Sequence, residues 1–275
     1  MPKSLLRQFV SFVRTFGITA GIRLWCTLLV QRAIPFRNIF RLNLPGTASP
    51  MHLRRQDLPI FWQIMVMREY DLESLPQTSR VMATYKAILS EGKKPIIIDC
   101  GGHVGLSAVW FATHFPDALV YVVEPDLSNF NLLERNTEAY PNIVPLNGGV
   151  WSRPTRLMIL DPRVGSASFR LQEMGDSLNL ENPESLRGYT IDGISVTHER
   201  ARLFAVKIDV EGAEAELFSG PTAWLRISAL VIIELHDWLL PWQGTSRNFF
   251  RKLAEYTCDV VLRGENLFVF NVTTK

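Results

Sequence analysis

The chain has 275 residues, 47% hydrophobic and 20% charged, enough to bury the core of one α/β domain with an appendage. A net charge of +2 argues against a general nucleic-acid binder, and no nucleic-acid partner is expected. Cys26, Cys100 and Cys258 lie far apart without CxxC spacing, which argues against a disulfide framework or a thiolate metal centre and fits a reducing cytoplasm.

Residues 1–33 read as helical. Within 5–30, Arg7, Arg14 and Arg23 punctuate an apolar run. Arginine inside a span is costly, so a membrane-crossing helix is not expected. The interrupted run, with no small-residue cleavage site, also fits a signal peptide poorly. What remains is a basic amphipathic helix, packed on its own domain or making peripheral membrane contact through its arginines. Residues 37–56 read as extended pieces around Leu44-Pro-Gly-Thr47. Residues 58–70 carry Ile60, Phe61, Ile64 and Met65 at helical spacing. A loop at 71–79 and a helix at 81–90 follow, which divides the chain into an N-terminal appendage, 1–80, and a main domain, 81–275.

From residue 95, strands are predicted at 96–100, 119–124, 142–147, 203–210 and 229–235, with helices at about 104–114, 127–138, 212–219 and 246–256. Alternation of this kind makes a parallel sheet with helices on both faces. The segment 161–200, with Gly165, Gly175, Asn182-Pro183 and Gly188, reads as one long irregular loop. Such a loop covers the cofactor, grips the acceptor or is a surface excursion. The end differs: 257–263, then Gly264-Glu-Asn, then 267–272 form a hairpin, so the last two strands run antiparallel. The fold class is α/β, a doubly wound, mostly parallel, Rossmann-like sheet closed by a C-terminal antiparallel hairpin.

Chemistry concentrates where predicted strands end. In Ile96-Ile-Ile-Asp-Cys-Gly-Gly-His-Val-Gly105, an apolar run reaches an acid and then a glycine turn. Gly101, Gly102 and Gly105 suit a tight turn and close approach to a nucleotide-type cofactor. His103 reads as a structural contact or one on the cofactor side rather than as a base. Glu124 closes the next run and is placed to accept both ribose hydroxyls. It lies about 20 residues past the glycines, a spacing that nicotinamide cofactors also use. Asp99 discriminates, because a carboxylate before the turn would repel a pyrophosphate but welcome the ammonium of S-adenosylmethionine. A sheet closed by a terminal hairpin is the methyltransferase version of the fold and agrees.

In Val206-Lys-Ile-Asp-Val-Glu-Gly-Ala-Glu214, strand alternation would set Lys207, Asp209 and Glu211 on one face. Lys207 needs a charged partner in so apolar a strand. Asp209 is expected beside the cofactor, while Glu211 and Glu214 can also be read as complementing a helix dipole. Glu234 and His236, in Ile232-Ile-Glu-Leu-His236, share a face on the next strand. A neutral His236, or else Asp209, is the expected proton acceptor, with Glu234 beside it, so the catalytic set is His236, Asp209 and Glu234. Asp209, Glu211, Glu234 and His236 are also donors acceptable to magnesium or manganese. Lys207 opposes such a metal, and none is expected. Trp151, Trp238 and Trp242 are candidate apolar walls.

Together these motifs resemble the FkbM family of S-adenosylmethionine-dependent methyltransferases, whose pattern is Asp-x-Gly-Ala-Asn-x-Gly, Glu-Pro, Lys-x-Asp-x-Glu-Gly-x-Glu and Glu-x-His. Here they read Asp99-Cys-Gly-Gly-His-Val-Gly105, Glu124-Pro125, Lys207-Ile-Asp-Val-Glu-Gly-Ala-Glu214 and Glu234-Leu-His236. Gly102 and His103 stand where the family often has Ala and Asn. Arg55-Gln-Asp57, Phe61 and Tyr70 resemble its entry segment, and Thr190-Ile-Asp192 a motif before the fourth strand. The resemblance implies S-adenosylmethionine as cofactor and O-methylation of a sugar or other hydroxyl-bearing metabolite, a small-molecule or glycan acceptor. A nicotinamide-dependent reductase and a non-catalytic cofactor-binding or membrane-associated module are the alternatives.

Overall fold

A computed structural model of the chain describes residues 4–34, 38–160, 170–174 and 185–271. The predicted helical stretch is two helices, α1 (Leu5–Phe16) and α2 (Ile18–Ala33), broken at Gly17. They fold back on each other so closely that a Cβ at Gly21 would stand 2.5 Å from the Phe12 carbonyl oxygen. The extended pieces are β1 (Ile39–Leu42) and β2 (Met51–Arg54), an antiparallel pair that turns Phe40, Leu42, Met51 and Leu53 inward. The predicted helix over 58–70 begins as α3 (Leu58–Phe61) and continues without a break to Val66. Its last turn, Trp62–Val66, is wide and is closed by the Met67 N–H on the Trp62 carbonyl at 2.8 Å.

The remaining elements are α4 (Thr78–Ser90), β3 (Lys94–Cys100), α5 (Leu106–His114), β4 (Leu119–Glu124), α6 (Leu127–Thr137), β5 (Ile143–Val150), β6 (Thr155–Leu160), β7 (Arg170–Glu173), β8 (Leu186–Tyr189), α7 (Ile191–Ser195), β9 (Ala201–Ile208), α8 (Glu214–Leu217), α9 (Ala223–Ile227), β10 (Leu230–Glu234), α10 (Arg247–Leu253), β11 (Cys258–Arg263) and β12 (Asn266–Asn271). The expectation of an irregular 161–200 is corrected by β7, β8 and α7. The glycines at 165 and 175 and Asn182-Pro183 lie outside the described residues, while Gly188 sits in β8.

The described strands beyond β2 form a ten-stranded sheet in the order β11-β12-β10-β9-β3-β4-β5-β8-β6-β7. Strands β10, β9, β3, β4, β5 and β8 are parallel neighbours; β12 runs against both β10 and β11, as the hairpin predicted. Both faces of its centre are buried, which is why these strands read as continuous β-branched runs. One face sets Ile97, Val120, Val122 and Ile232 against α4, α5, α6 and the N-terminal segments. The other sets Ile98, Val123, Val206 and Ile233 against α7, α8, α9 and α10. The order reverses between β3 and β9, and the carboxyl ends of β3, β4, β9 and β10 open there on one crevice, where ligands bind in open α/β sheets.

Candidate active site

The crevice has two lobes that share Ile60, Gly101, His103, Asp209 and Glu211. The first continues along Glu124, Asn129 and the Gly148-Gly-Val150 end of β5. The second continues along Tyr70, Lys207, Glu234, His236 and Trp238.

The glycine turn is made by β3 and its neighbours. The N–H groups of Gly101 and Gly102 both donate to the Val123 carbonyl at 2.9 Å, and Asp209 N–H donates to the Cys100 carbonyl at 2.9 Å. Gly101 has φ 85, and a Cβ there would stand 1.9 Å from the Asp209 carbonyl oxygen, so no other residue fits. Glu124 ends β4 at the floor of the first lobe. Its Oε2 accepts from His103 N–H at 2.8 Å, and its Oε1 accepts from Asp126 N–H at 3.0 Å and Asn129 Nδ2 at 3.1 Å. Burial pushes this carboxyl up to about 7.

A relay absent from the sequence reading stands behind Glu124. Arg54 Nη2 donates to Asn129 Oδ1 at 2.5 Å and to Asp57 Oδ1 at 3.1 Å, while Asp57 Oδ1 lies 3.5 Å from His103 Nε2. Arg54 and Asn129 are 75 positions apart, so no local signal joins them. The nearest hint is Asp126-x-x-Asn129, in which Asp126 caps α6 by accepting from Asn129 N–H at 2.7 Å.

Asp99 lies under the crevice rather than in its wall. It is fully buried and accepts from Ser107 Oγ at 2.5 Å. Its register partner across β3 and β9 is Lys207, whose Nζ lies 3.2 Å from Asp99 Oδ1, 3.4 Å from Asp209 Oδ2 and 2.6 Å from the Gly101 carbonyl oxygen it bonds. Asp99 thus faces the crevice from beneath the glycine turn, with Ser107 on one carboxylate oxygen and the Lys207 ammonium beside the other. Burial opposes the Lys207 charge, but Asp99 and Asp209 hold its pKa well above the ordinary value.

Strand β9 stops at Ile208, so the predicted alternation through Glu211 does not hold: Glu211 has φ 47 and reaches the crevice from a turn. His236 packs in the second lobe with Nδ1 2.6 Å from Glu214 Oε1, and with Nε2 3.5 Å from both Asp209 Oδ1 and Glu234 Oε1. Donor atoms of Asp209, Glu234 and His236 lie within 4.8 Å of one another; among the described residues Glu211 does not join this trio. Burial would lower the imidazole pKa, but the Glu214 hydrogen bond and charge, then Asp209 and Glu234, raise it to about 9. That direction favours the imidazolium over the neutral ring expected of a proton acceptor. Burial, then the Asp209 charge, lifts Glu234 to about 7 and Glu211 to about 8. Glu214, fully buried, is the positioning acid that sequence reasoning left at a helix terminus. Of the tryptophans, Trp238 lines the second lobe, Trp242 is fully exposed, and Trp151 is buried and lines neither lobe.

Comparison with known proteins matches residues 99–257 to the methyltransferase FkbM domain. A hexuronic acid methyltransferase, AglP, of Haloferax volcanii is 26% identical over 157 residues, covering 55% of this chain and 60% of its own length. Among solved structures, Aeropyrum pernix fibrillarin bound to S-adenosylmethionine is 12% identical with a TM-score of 0.36, covering 66% of each chain. A precorrin-6y C5,15-methyltransferase from Geobacter metallireducens is 10% identical with a TM-score of 0.35, covering 68% of this chain and 85% of its own. With more than half of its length inside the family's domain, the chain belongs to the FkbM family of S-adenosylmethionine-dependent methyltransferases.

Proposed function

We propose that this protein transfers a methyl group from S-adenosylmethionine to a hydroxyl of a sugar or other small hydroxyl-bearing metabolite. The observation that carries this reading is the junction of the two lobes at Gly101, His103 and Asp209, where a cofactor in one lobe would meet an acceptor in the other. The first lobe suits the cofactor: Glu124 can take two ribose hydroxyls, and the bare backbone of the glycine turn admits the methionine end. Asp99 acts from beneath, fixing Lys207 and through it the Gly101 carbonyl. When bound, S-adenosylmethionine supplies an electrophilic methyl group on a sulfonium sulfur. A sugar acceptor is supported by the relationship to a hexuronic acid methyltransferase.

In this reading Glu234 Oε1 takes the proton from the acceptor hydroxyl, and the His236 imidazolium, held by Glu214, keeps Glu234 and Asp209 oriented toward it. Turnover should then rise with pH through about 7, as Glu234 loses its proton, and fall above about 9, as His236 loses its own. The measurement is a kcat profile across that range. Glu234→Gln should lower kcat by about 10²–10⁴ with little change in cofactor affinity. A flat profile, or a fully active Glu234→Gln variant, would remove the assignment.

Because Lys207 and the His236 ring already place positive charge at this cluster, no divalent ion is needed. Dialysis against a chelator should leave turnover unchanged, and a loss restored by magnesium or manganese would contradict this. The function itself is tested by incubating the protein with methyl-labelled S-adenosylmethionine and a panel of uronic-acid and neutral glycans. A methyl ether on a sugar oxygen in the product's NMR spectrum is expected. Formation of an ester or N-methyl product, or tight binding of NADH in place of S-adenosylmethionine, would overturn the proposal.

A further inference from the structure

We infer that the α1–α2 hairpin is a docking surface for an anionic lipid bilayer. Its inner side belongs to the fold: Phe12, Leu24 and Leu28 are buried, Phe12 meets Trp62 edge-to-face with centroids 5.7 Å apart, and Thr15 Oγ1 donates to the Val66 carbonyl at 2.8 Å. Gln31 pins α2 to β1 through Arg41, whose N–H it accepts at 2.8 Å and whose carbonyl it bonds at 2.9 Å.

The outer side has no such work. At 3.6 residues per turn, Ile18, Ile22, Cys26 and Val30 form one outward stripe on α2, with Arg23 along its edge. On α1, Leu6 and Val10 face outward with Arg7 and Arg14 along theirs. These five aliphatic side chains are 40–71% exposed, an apolar patch of the kind that marks an interaction surface.

Charge identifies the occupant. Residues 1–56 contain nine Lys and Arg and no acid, the first being Asp57, whereas the whole chain is nearly balanced at 29 against 27. The excess of positive charge thus lies in the segment that carries the apolar stripe, because from residue 57 on acids outnumber Lys and Arg. An aliphatic face edged by arginines, with every anion removed, matches the boundary between acyl chains and anionic head groups. Among the described residues no helix is long and apolar enough to cross a bilayer, so the hairpin lies along the surface. It packs on the turn whose Gln63 and Ile64 line the second lobe, so docking would set that lobe close to the lipid plane.

The test is co-sedimentation of the full chain with vesicles of phosphatidylcholine alone or mixed with phosphatidylglycerol. Binding to the anionic vesicles, little binding to the neutral ones and release in about 0.5 M salt are expected. The double variant Ile18→Asp/Ile22→Asp should weaken partitioning at least tenfold and Arg23→Gln about fivefold. Both should leave thermal unfolding and cofactor affinity unchanged, since these side chains face solvent. Absence of binding to anionic vesicles, or undiminished binding by the double variant, would overturn the inference. So would a dimer in sedimentation velocity that the double variant dissociates, because the face would then belong to a second copy of the chain.

Discussion

Replacing Glu124 with Ala should raise the dissociation constant for S-adenosylmethionine by a factor of about 10²–10⁴. A carboxylate that accepts two ribose hydroxyls makes two charge-assisted hydrogen bonds, each contributing about 1.5–3 kcal/mol, and about 1.4 kcal/mol is a tenfold change in affinity. The alanine also strands His103 N–H, Asp126 N–H and the Asn129 amide, which all donate to this one side chain. Glu124→Gln keeps one acceptor oxygen and should fall between the two. Because burial lifts the Glu124 carboxyl to about 7, wild-type affinity should weaken as pH falls through neutrality, when the acceptor becomes protonated. Calorimetric titration with S-adenosylmethionine and S-adenosylhomocysteine checks all three statements. An alanine variant that binds within threefold of wild type would place the ribose elsewhere.

The second large effect concerns folding. Lys207→Met should destabilise the protein by about 3–5 kcal/mol, because it leaves Asp99 charged in a fully buried site and strips the Gly101 carbonyl of its donor. For a chain of this size that corresponds to a fall in Tm of about 6–20 °C. Adding Asp99→Asn to the methionine variant removes the stranded charge and should restore part of the loss. Calorimetry on the single and double variants measures the coupling directly. A single variant melting within about 2 °C of wild type would mean that the pair contributes nothing net to stability.

The central strands were legible because a strand buried on both faces must be apolar at every position, and runs such as Ile96-Ile-Ile leave little choice. The strand-end acids were legible for a related reason: Asp99, Glu124, Asp209 and Glu234 are charges placed where such a run stops. What sequence could not supply was adjacency. Glu214 looks like a helix-terminal acid until β9 and β10 pair and carry His236 onto it. The charge state of that ring is set by Asp209 and Glu214, which lie more than 20 positions upstream, and not by Glu234 alone. The strands β7 and β8, of four residues each, were too short to show a period, and the apolar spacing over 58–70 did not show where the helical run widens or ends. Nothing near Asn129 announces Arg54.

That last contact bears on how portable the catalytic domain is. The match to the family's domain begins at residue 99, yet the side chain that holds Asn129, a partner of Glu124, arrives from residue 54, and Asp57 reaches toward His103 from the same turn. A recombinant core begun at residue 81 would keep the whole matched region and lose the Arg54 and Asp57 contacts behind Glu124 and His103. Transplanting this module into a new protein would therefore require carrying the Arg54-to-Asp57 turn along with it.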